Sequence, residues 1–139
     1  MERILRTVLI VTAALAAACA PRERTLVLLS TNDMHAKIRN FPRLAAAVEA
    51  CRDTAQLVVL VDAGDRWTGN AYVDRAATPG MPMIALMNRL GYDVATLGNH
   101  EFDHGQAFLG RMIDSMDFEV VCANVVSDNC KFTPLPHYK

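Results

Sequence analysis

The sequence predicts an α/β domain in which mostly parallel strands are flanked by helices. First, short continuous apolar runs, typical of buried strands, alternate with longer segments whose apolar residues recur at helical spacing. Second, successive runs are far enough apart for one crossover helix between them. Third, polar residues of the kind that bind ligands follow directly after the runs. Strand, helix, strand, helix in this order favours right-handed crossovers and a parallel sheet.

The first half of the chain contains two strand-like runs with a helix between them. Residues 25–30 form an uninterrupted apolar run, which suits a strand buried on both faces. Residues 41–52 have apolar side chains at helical spacing, and Pro42 lies where proline is tolerated at a helix start. Residues 57–61 are all Leu or Val, which predicts a second buried strand.

The second half continues the alternation after a loop that is rich in Gly, Thr and Asn. Gly91 has the position of a residue that ends a helix. Methionines at helical spacing just before it are expected to fill the core. The predicted elements are a helix at 83–90, a strand at 93–97, a helix at 106–116 and a strand at 118–123.

Residues 1–20 are predicted to be an export signal and are excluded from the fold. Arg3 and Arg6 precede an uncharged, mostly apolar run that ends at Ala20 and is short for a membrane span. Small residues before Cys19 resemble a bacterial lipoprotein processing site, at which the Cys19 thiol would be acylated. Ordinary signal cleavage after a small residue is the alternative. We therefore expect an exported protein that is periplasmic or is anchored to a bacterial membrane through lipid.

Composition excludes several functional classes. A chain of 139 residues can bury one sizeable core. With 14 Lys and Arg against 15 Asp and Glu, it lacks the excess positive charge of nucleic-acid-binding proteins, so no nucleic acid binding is expected. Cys51, Cys122 and Cys130 lack the CxxC spacing of zinc or redox sites, and the sequence leaves their disulfide state open.

Three polar loops are expected to meet at one edge of the sheet. Asp33, Asp65 and Asn99 each follow a predicted strand, and they lie 32 and 34 positions apart. One strand–helix–strand unit takes about 30 residues or more, so each step leads back to the same edge. That edge is the carboxyl edge, where α/β proteins place their ligands.

The side chains in these loops suit divalent metal ions. Asp33 and His35 are one residue apart, so both can point the same way in an extended segment. Asp65 adds a carboxylate beside a glycine, and Asn99 adds a neutral carbonyl oxygen. This mixture of oxygen and nitrogen suits Zn, Mn, Fe or Mg. A carboxylate that bridges two metals commonly activates water against a phosphate ester.

His100 and Asp103 are candidates for the remaining chemistry. The imidazole of His100, next to Asn99, could stabilise charge or protonate a leaving oxygen, and Asp103 could orient that imidazole. Structural roles are the alternative, because Asp is also common in turns and caps. Trp67 and Asn70 lie in the loop after Asp65 and either contact substrate or pack on the loop. Glu101 is expected to be a supporting acid and not a ligand, and His104 a surface residue.

Three sequence blocks, residues 31–35, 62–65 and 98–103, resemble the first three motifs of the calcineurin-like metallophosphoesterases. Within that family, the residues of these three blocks are most similar to those of the exported 5′-nucleotidase and UDP-sugar hydrolase branch. The resemblance implies two divalent metal ions. It would assign Asp33 and His35 to the first metal, Asp65 to both metals, Asn99 to the second metal, His100 and Asp103 to stabilisation of the transition state, and Asn124 to substrate binding.

The resemblance also implies a fold that this chain does not complete. Residues 24–139 would be the N-terminal half of an α/β/β/α sandwich, an incomplete domain truncated at its C-terminus. Family members supply further histidine ligands from loops well downstream, so the missing C-terminal sequence would be needed to complete the site. His137, in a proline-flanked tail, is expected to be solvated. The 139-residue chain alone is expected to bind metal poorly and to have little or no phosphatase activity.

The implied reaction is attack of a metal-bridging hydroxide on phosphorus, which converts a nucleotide into a nucleoside and phosphate. The sequence leaves related activities open: a cyclic-nucleotide phosphodiesterase, a nucleotide-sugar hydrolase or a sulfur-ester hydrolase. A non-catalytic, truncated exported lipoprotein is the alternative of a different class.

Overall fold

The computed structural model describes residues 24–125. The export signal with Cys19, as well as Cys130 and His137, lie outside the described residues. The strands are β1 (Leu26–Thr31), β2 (Leu57–Asp62), β3 (Val94–Ala95) and β4 (Glu119–Val120). The helices are α1 (Phe41–Thr54), α2 (Ala71–Asp74), α3 (Met81–Leu90) and α4 (Gln106–Ile113), and single 3₁₀ turns cover Ile38–Asn40 and His100–Phe102.

The four strands form one parallel sheet in the order β1-β2-β3-β4. Leu26 pairs with Leu57 at one end of the β1–β2 ladder, and Thr31 pairs with Asp62 at the other. A helical crossover connects each strand to the next, so all four parallel strands end at the same edge. The predicted α/β class, with parallel strands and flanking helices, is confirmed.

The helices pack on one face of this sheet. Val48 of α1, Met87 of α3 and Leu109 of α4 are fully buried, and they pack in clusters that include Leu60 of β2 and Val120 of β4. Paired residues of a parallel sheet share a face, and every buried strand residue lies on this helix-covered face. The core therefore lies between one sheet face and the helices.

The prediction that the first two strands are buried on both faces is wrong for the part of the chain that the structure describes. Leu26, Leu28 and Leu57 are 60%, 65% and 57% exposed. The apolar run correctly indicated strand, but burial also depends on what covers the second face. Within residues 24–125, no helix packs there.

Element boundaries differ from the predicted ones where hydrogen bonding changes. The helix expected to reach residue 116 ends at Ile113, because Ser115 and Met116 bond to carbonyls three residues back, as in a tight 3₁₀ turn. The short helix α2 was not predicted. The Asn70 side chain caps it by accepting a hydrogen bond from the Tyr72 amide at 3.0 Å.

Two further observations concern the described residues alone. Among them, no helix combines the length and apolarity needed to cross a membrane. Cys51 and Cys122 are free thiols, and Cys122 is buried.

Candidate active site

The loops after β1, β2 and β3 lie side by side at the carboxyl edge of the sheet. The amides of Asp33, His35 and Ala36 donate to the carbonyls of Gly64, Asp65 and Arg66 at 3.1, 3.0 and 2.9 Å. These bonds continue the β1–β2 ladder beyond the strand ends. The first two loops are therefore fixed relative to each other by backbone contacts.

Backbone strain concentrates in the same two loops. Within residues 24–125, the non-glycine residues with positive φ, from 43° to 68°, are Asp33, His35, Ala36, Asp65 and Thr68. Each such conformation costs about 1–3 kcal/mol and persists only when its surroundings enforce it. The cross-loop ladder supplies that enforcement. Strained residues cluster at functional sites, so their concentration here supports a site at this edge.

Glu101 ties the third loop to the second. Its side chain is fully buried, and its carboxylate accepts hydrogen bonds from the amides of Asp65 at 2.8 Å, Arg66 at 3.0 Å and Gly98 at 2.6 Å. Both carboxylate oxygens are thus occupied by backbone donors. Glu101 acts as a supporting acid, in agreement with the expectation from the sequence.

A buried ion pair lies beneath the loops. The Arg66 side chain has no exposed surface, and its Nε donates to Asp62 Oδ1 at 2.9 Å, with Glu101 Oε1 at 3.8 Å. Asp62 also accepts from the Thr31 hydroxyl at 2.8 Å. Burial raises the pKa of Asp62, and the Arg66 charge opposes that rise. The Arg66 guanidinium also donates to the Thr96 carbonyl, so it links β2 with the chain after β3.

Three candidate side chains converge above this support. His35, Asp65 and His100 each offer one ligand atom, and these atoms lie within 4.8 Å of one another. The two imidazole rings have centroids 5.1 Å apart and meet nearly edge-on at 74°. Asp33 Oδ1 lies 3.7 Å from His35 Nε2. Two imidazole nitrogens and carboxylate oxygens suit a divalent cation of the zinc, manganese or iron type, so the residues present fit such a metal.

His100 is oriented by Asp103. Its Nδ1 lies 2.8 Å from Asp103 Oδ2, and its backbone amide donates to Asp65 Oδ1 at 2.9 Å. The hydrogen bond that the His100 ring donates to Asp103, together with the charges of Asp103, Asp65 and Glu101, raises the pKa of His100. The same bond lowers the pKa of Asp103, and a hydrogen bond from Thr68 contributes. An ionised carboxylate only accepts, so Nδ1 carries the proton and Nε2 is the ring nitrogen left for chemistry.

Replacing Asp103 by Asn is expected to lower the pKa of His100 in metal-free protein. The neutral amide removes the charge and the charge-assisted bond that favour imidazolium. The measurement is an NMR titration of the histidine ring signals in the presence of a chelator, with Asp114→Asn, an exposed acid on another turn, as the control. An unchanged His100 titration in Asp103→Asn would show that the pair is not coupled.

The pKa shifts of His100 and Asp103 set the pH range in which this ion pair stabilises the fold. The raised pKa of His100 means that its contribution is present below about 6.5, the ordinary histidine value, and is lost as pH rises through the folded pKa. The lowered pKa of Asp103 means that its contribution is lost as pH falls through the folded value. The ion pair therefore stabilises the fold most at pH values between the titration of Asp103 and the titration of His100.

The remaining predicted residues have varied placements. Asn99 is exposed and directly precedes the 3₁₀ turn that carries His100. Asn124 lies beyond β4, where its Oδ1 is 3.3 Å from the Cys122 thiol. Trp67 is fully buried and packs in the core, which excludes substrate contact for its ring. His104 is exposed, with its ring 4.9 Å from that of Phe108.

Sequence reasoning missed two residues that shape the site. Arg66 was not singled out, because an arginine in a glycine-rich loop is ordinarily a solvated charge. Thr68 hydrogen-bonds Asp103 and adopts a positive φ of 68°, which nothing in its residue type indicates. The one available signal was the buried-strand residue Asp62, since a carboxylate at the end of an apolar run requires a partner.

Comparison with known proteins places this chain in a family. The sequence pattern of the calcineurin-like phosphoesterases matches residues 26–133. The trifunctional nucleotide phosphoesterase YfkN of Bacillus subtilis is 34% identical over 134 residues, covering 78% of this chain and 9% of that protein. The 5′-nucleotidase of Bos taurus is 31% identical over 124 residues, covering 76% of this chain and 21% of that protein.

A solved structure shows the same architecture. The 5′-nucleotidase precursor of Thermus thermophilus superposes with a TM-score of 0.65 at 31% identity, covering 71% of this chain and 22% of that chain. The chain therefore spans about a fifth or less of the length of the two curated relatives named here.

Proposed function

Because the chain belongs to the calcineurin-like phosphoesterase family, we propose that it forms part of a metal-dependent hydrolase of phosphate esters, with nucleotides as the substrate class. The observation that supports this most directly is the convergence of His35, Asp65 and His100 with Asp103 behind the His100 ring. The names of the relatives, a nucleotide phosphoesterase and a 5′-nucleotidase, support the substrate class.

The proposed centre holds two divalent cations. Asp33, His35 and Asp65 would hold the first, and Asp65 with Asn99 would contribute to the second. When bound, the cations would activate water for attack on phosphorus and offset the negative charge of the phosphate. The role of Asp65 as a shared ligand is supported by the fixed orientation of its side chain, because the backbone amide of His100 donates a hydrogen bond to Asp65 Oδ1 at 2.9 Å.

His100 would donate a proton to the leaving oxygen during ester cleavage. Nδ1 is held by Asp103, so Nε2 is the ring nitrogen that can donate a proton to the oxygen that leaves phosphorus. The raised pKa of His100 keeps a larger fraction of the imidazole protonated near neutral pH. Asp103 thus acts as a positioning residue that also favours the acid form.

Export and lipid attachment at Cys19 belong to the same proposal. The positive residues, the short apolar run and the small residues before Cys19 support them. Incorporation of a labelled fatty acid in a bacterial host, abolished in Cys19→Ala, is the expected result; label that persists in the variant would exclude Cys19 as the attachment site.

Substrate contact by Asn124 is likewise proposed, supported by its position after β4.

The test is metal-dependent release of phosphate from a nucleoside 5′-monophosphate. Loss of the proton donor in His100→Asn is expected to slow release by about 10²–10⁴-fold. The control is His104→Asn, an exposed histidine four residues away, which should retain the full rate. Equal rates in both variants would contradict the role of His100. A 2′,3′-cyclic nucleotide and a nucleotide sugar, assayed in parallel, distinguish the related activities.

A non-catalytic exported lipoprotein is the second candidate function. It is favoured by the geometry of the described residues, because Asp33, a proposed ligand of the first cation, is not among the three donors that converge. Absence of phosphate release from every substrate, in the presence of Zn²⁺ or Mn²⁺, would support it over the first candidate.

A further inference from the structure

We propose that a cavity beside Asp33 binds the nucleobase of the substrate, and that it prefers bases presenting a carbonyl oxygen, such as hypoxanthine, guanine and uracil, over adenine. The inference rests on the proposed function, because it places the base of the proposed nucleotide substrate next to the proposed metal centre. It goes beyond that function by naming which nucleotides the site should prefer and the residue that selects them.

The cavity lies between the end of β1, the loop after it and the start of α1, and its volume is about 380 Å³. Asp33, a proposed ligand of the first cation, forms part of its wall. Asp33 Oδ1 lies 3.7 Å from His35 Nε2, so the cavity adjoins the converging side chains of the site. A group attached to a phosphate held at the site can therefore reach it.

A second cavity has the wrong position for this role. It is lined by Arg24, Thr25, Leu26, Gln56 and Leu57. Leu26 and Leu57 pair at the opposite end of the β1–β2 ladder from Thr31 and Asp62. This cavity therefore lies at the edge of the sheet away from the candidate site.

The buried part of the lining beside Asp33 is apolar. Phe41 is 6% exposed, and the half-buried side chains of Met34 and Leu44 pack against the same core cluster. Small-molecule sites are commonly cavities of about 300–1,000 Å³ with a mostly apolar lining and a few polar groups that fix orientation. An apolar surface favours the flat, uncharged base of a nucleotide over its charged phosphate.

The exposed part of the lining carries two polar side chains that are available to a ligand. Lys37 is exposed, and it forms no ion pair with an acidic side chain within residues 24–125. Asn40 is in the N-cap position of α1, but its side chain does not cap the helix. An ammonium group only donates hydrogen bonds, whereas a carboxamide both donates and accepts them. Both groups can therefore contact the polar edge of a base.

Backbone hydrogen bonds fix the chain that carries these two side chains. The Lys37 amide donates to the Met34 carbonyl at 2.9 Å, and the Lys37 carbonyl accepts from the Asn40 amide at 3.0 Å. Ala36 has no exposed surface, and its amide donates to the Arg66 carbonyl of the neighbouring loop at 2.9 Å. The wall of the cavity is thus attached to the same loops that carry the candidate site.

The Lys37 ammonium determines the expected preference. It can donate to the carbonyl oxygen of hypoxanthine, guanine or uracil, whereas adenine presents an amino group, itself a donor, in place of that oxygen. Two donors that face each other form no hydrogen bond. A hydrogen bond to a charged group changes affinity by about tenfold or more. Because Lys37 is exposed to water, we expect a preference of about tenfold.

The experiment is an NMR titration of the 139-residue chain with inosine and with adenosine, in the presence of a chelator. The two nucleosides share ribose and a purine ring, and neither carries a phosphate. We expect inosine to bind about tenfold more tightly than adenosine. Lys37→Met should abolish this preference, and Lys37→Arg, which keeps charged donors, should retain it. The control is Arg39→Met, which removes an exposed cation outside the lining and should leave the preference unchanged.

Leu44→Phe tests the cavity itself. The larger ring would occupy part of the cavity, so loss of detectable binding of both nucleosides is expected. The matched control is Ala47→Phe, which places a ring at an exposed position of α1 outside the lining and should leave binding unchanged. Far-UV circular dichroism of each variant checks that the fold is retained.

Several outcomes would overturn the inference: equal affinities for inosine and adenosine, a preference that persists in Lys37→Met, binding that Leu44→Phe does not affect, or no binding of either nucleoside. None of them contradicts the proposed function, which is decided by phosphate release. Preferred binding of inosine without any phosphate release would support the base site and contradict the proposed function.

Discussion

Arg66→Met is expected to lower the free energy of unfolding by about 3–5 kcal/mol, the usual cost of removing one partner from a buried ion pair. The Arg66 side chain is fully buried and pairs with Asp62, and Glu101 lies close to the same nitrogen. Methionine preserves much of the volume but leaves two buried carboxylates without a cation. The measurement is urea unfolding followed by circular dichroism.

Two further variants make this expectation specific. Arg89→Met removes an exposed arginine of α3 and should change the free energy of unfolding by no more than about 0.5 kcal/mol. Arg66→Lys keeps a positive charge with fewer donors and should fall between wild type and Arg66→Met. A loss below about 1 kcal/mol in Arg66→Met would show that the buried pair is not a major stabilising contact.

The Arg66→Met deficit is also expected to shrink at lower pH. Burial raises the pKa of Asp62, and removing Arg66 takes away the charge that opposes this rise. The folded state then binds a proton at a higher pH than the unfolded state does, so stability increases as pH falls from the folded pKa towards the unfolded one. Unfolding measured at two pH values tests this; a larger deficit at the lower value would contradict it.

The convergence of the three loops could be predicted from sequence because it follows from connectivity. Right-handed crossovers return the chain to the same sheet edge, so Asp33, Asp65 and Asn99 had to follow neighbouring parallel strands on one side. The apolar runs that identified the strands are a local property of the sequence. The parallel direction of the strands followed from these two facts, and the structure agrees.

The support beneath the site could not be predicted in this way. Arg66 and Glu101 are 35 positions apart, and their burial arises only when the loops pack together. Local sequence also does not encode the positive φ of Ala36, since alanine ordinarily avoids that region and tertiary contacts impose it. The exposure of Leu28 has the same origin, because it depends on which elements cover the sheet.

Gly98→Ala is expected to weaken Zn²⁺ binding by about 10–100-fold, as displacement of a ligand's support commonly does. A Cβ at Gly98 would lie 2.7 Å from the Asp65 backbone nitrogen and equally close to the carboxyl carbon of Asp65. That backbone is held by Glu101 at 2.8 Å, so it cannot move aside without breaking the contact. The new methyl group must therefore displace the Asp65 carboxylate, the ligand that the two cations of the proposed centre would share.

The matched control is Gly105→Ala. Gly105 has a φ of +80° and open space around its Cβ position, so alanine there adds backbone strain without a steric clash. Such strain costs about 1–3 kcal/mol, and overpacking at Gly98 costs a similar amount. Both variants should therefore lose comparable stability by urea unfolding, but only Gly98→Ala should lose Zn²⁺ affinity by calorimetry. Equal affinities in the two variants would show that the close approach of Gly98 to Asp65 does not position the metal ligand.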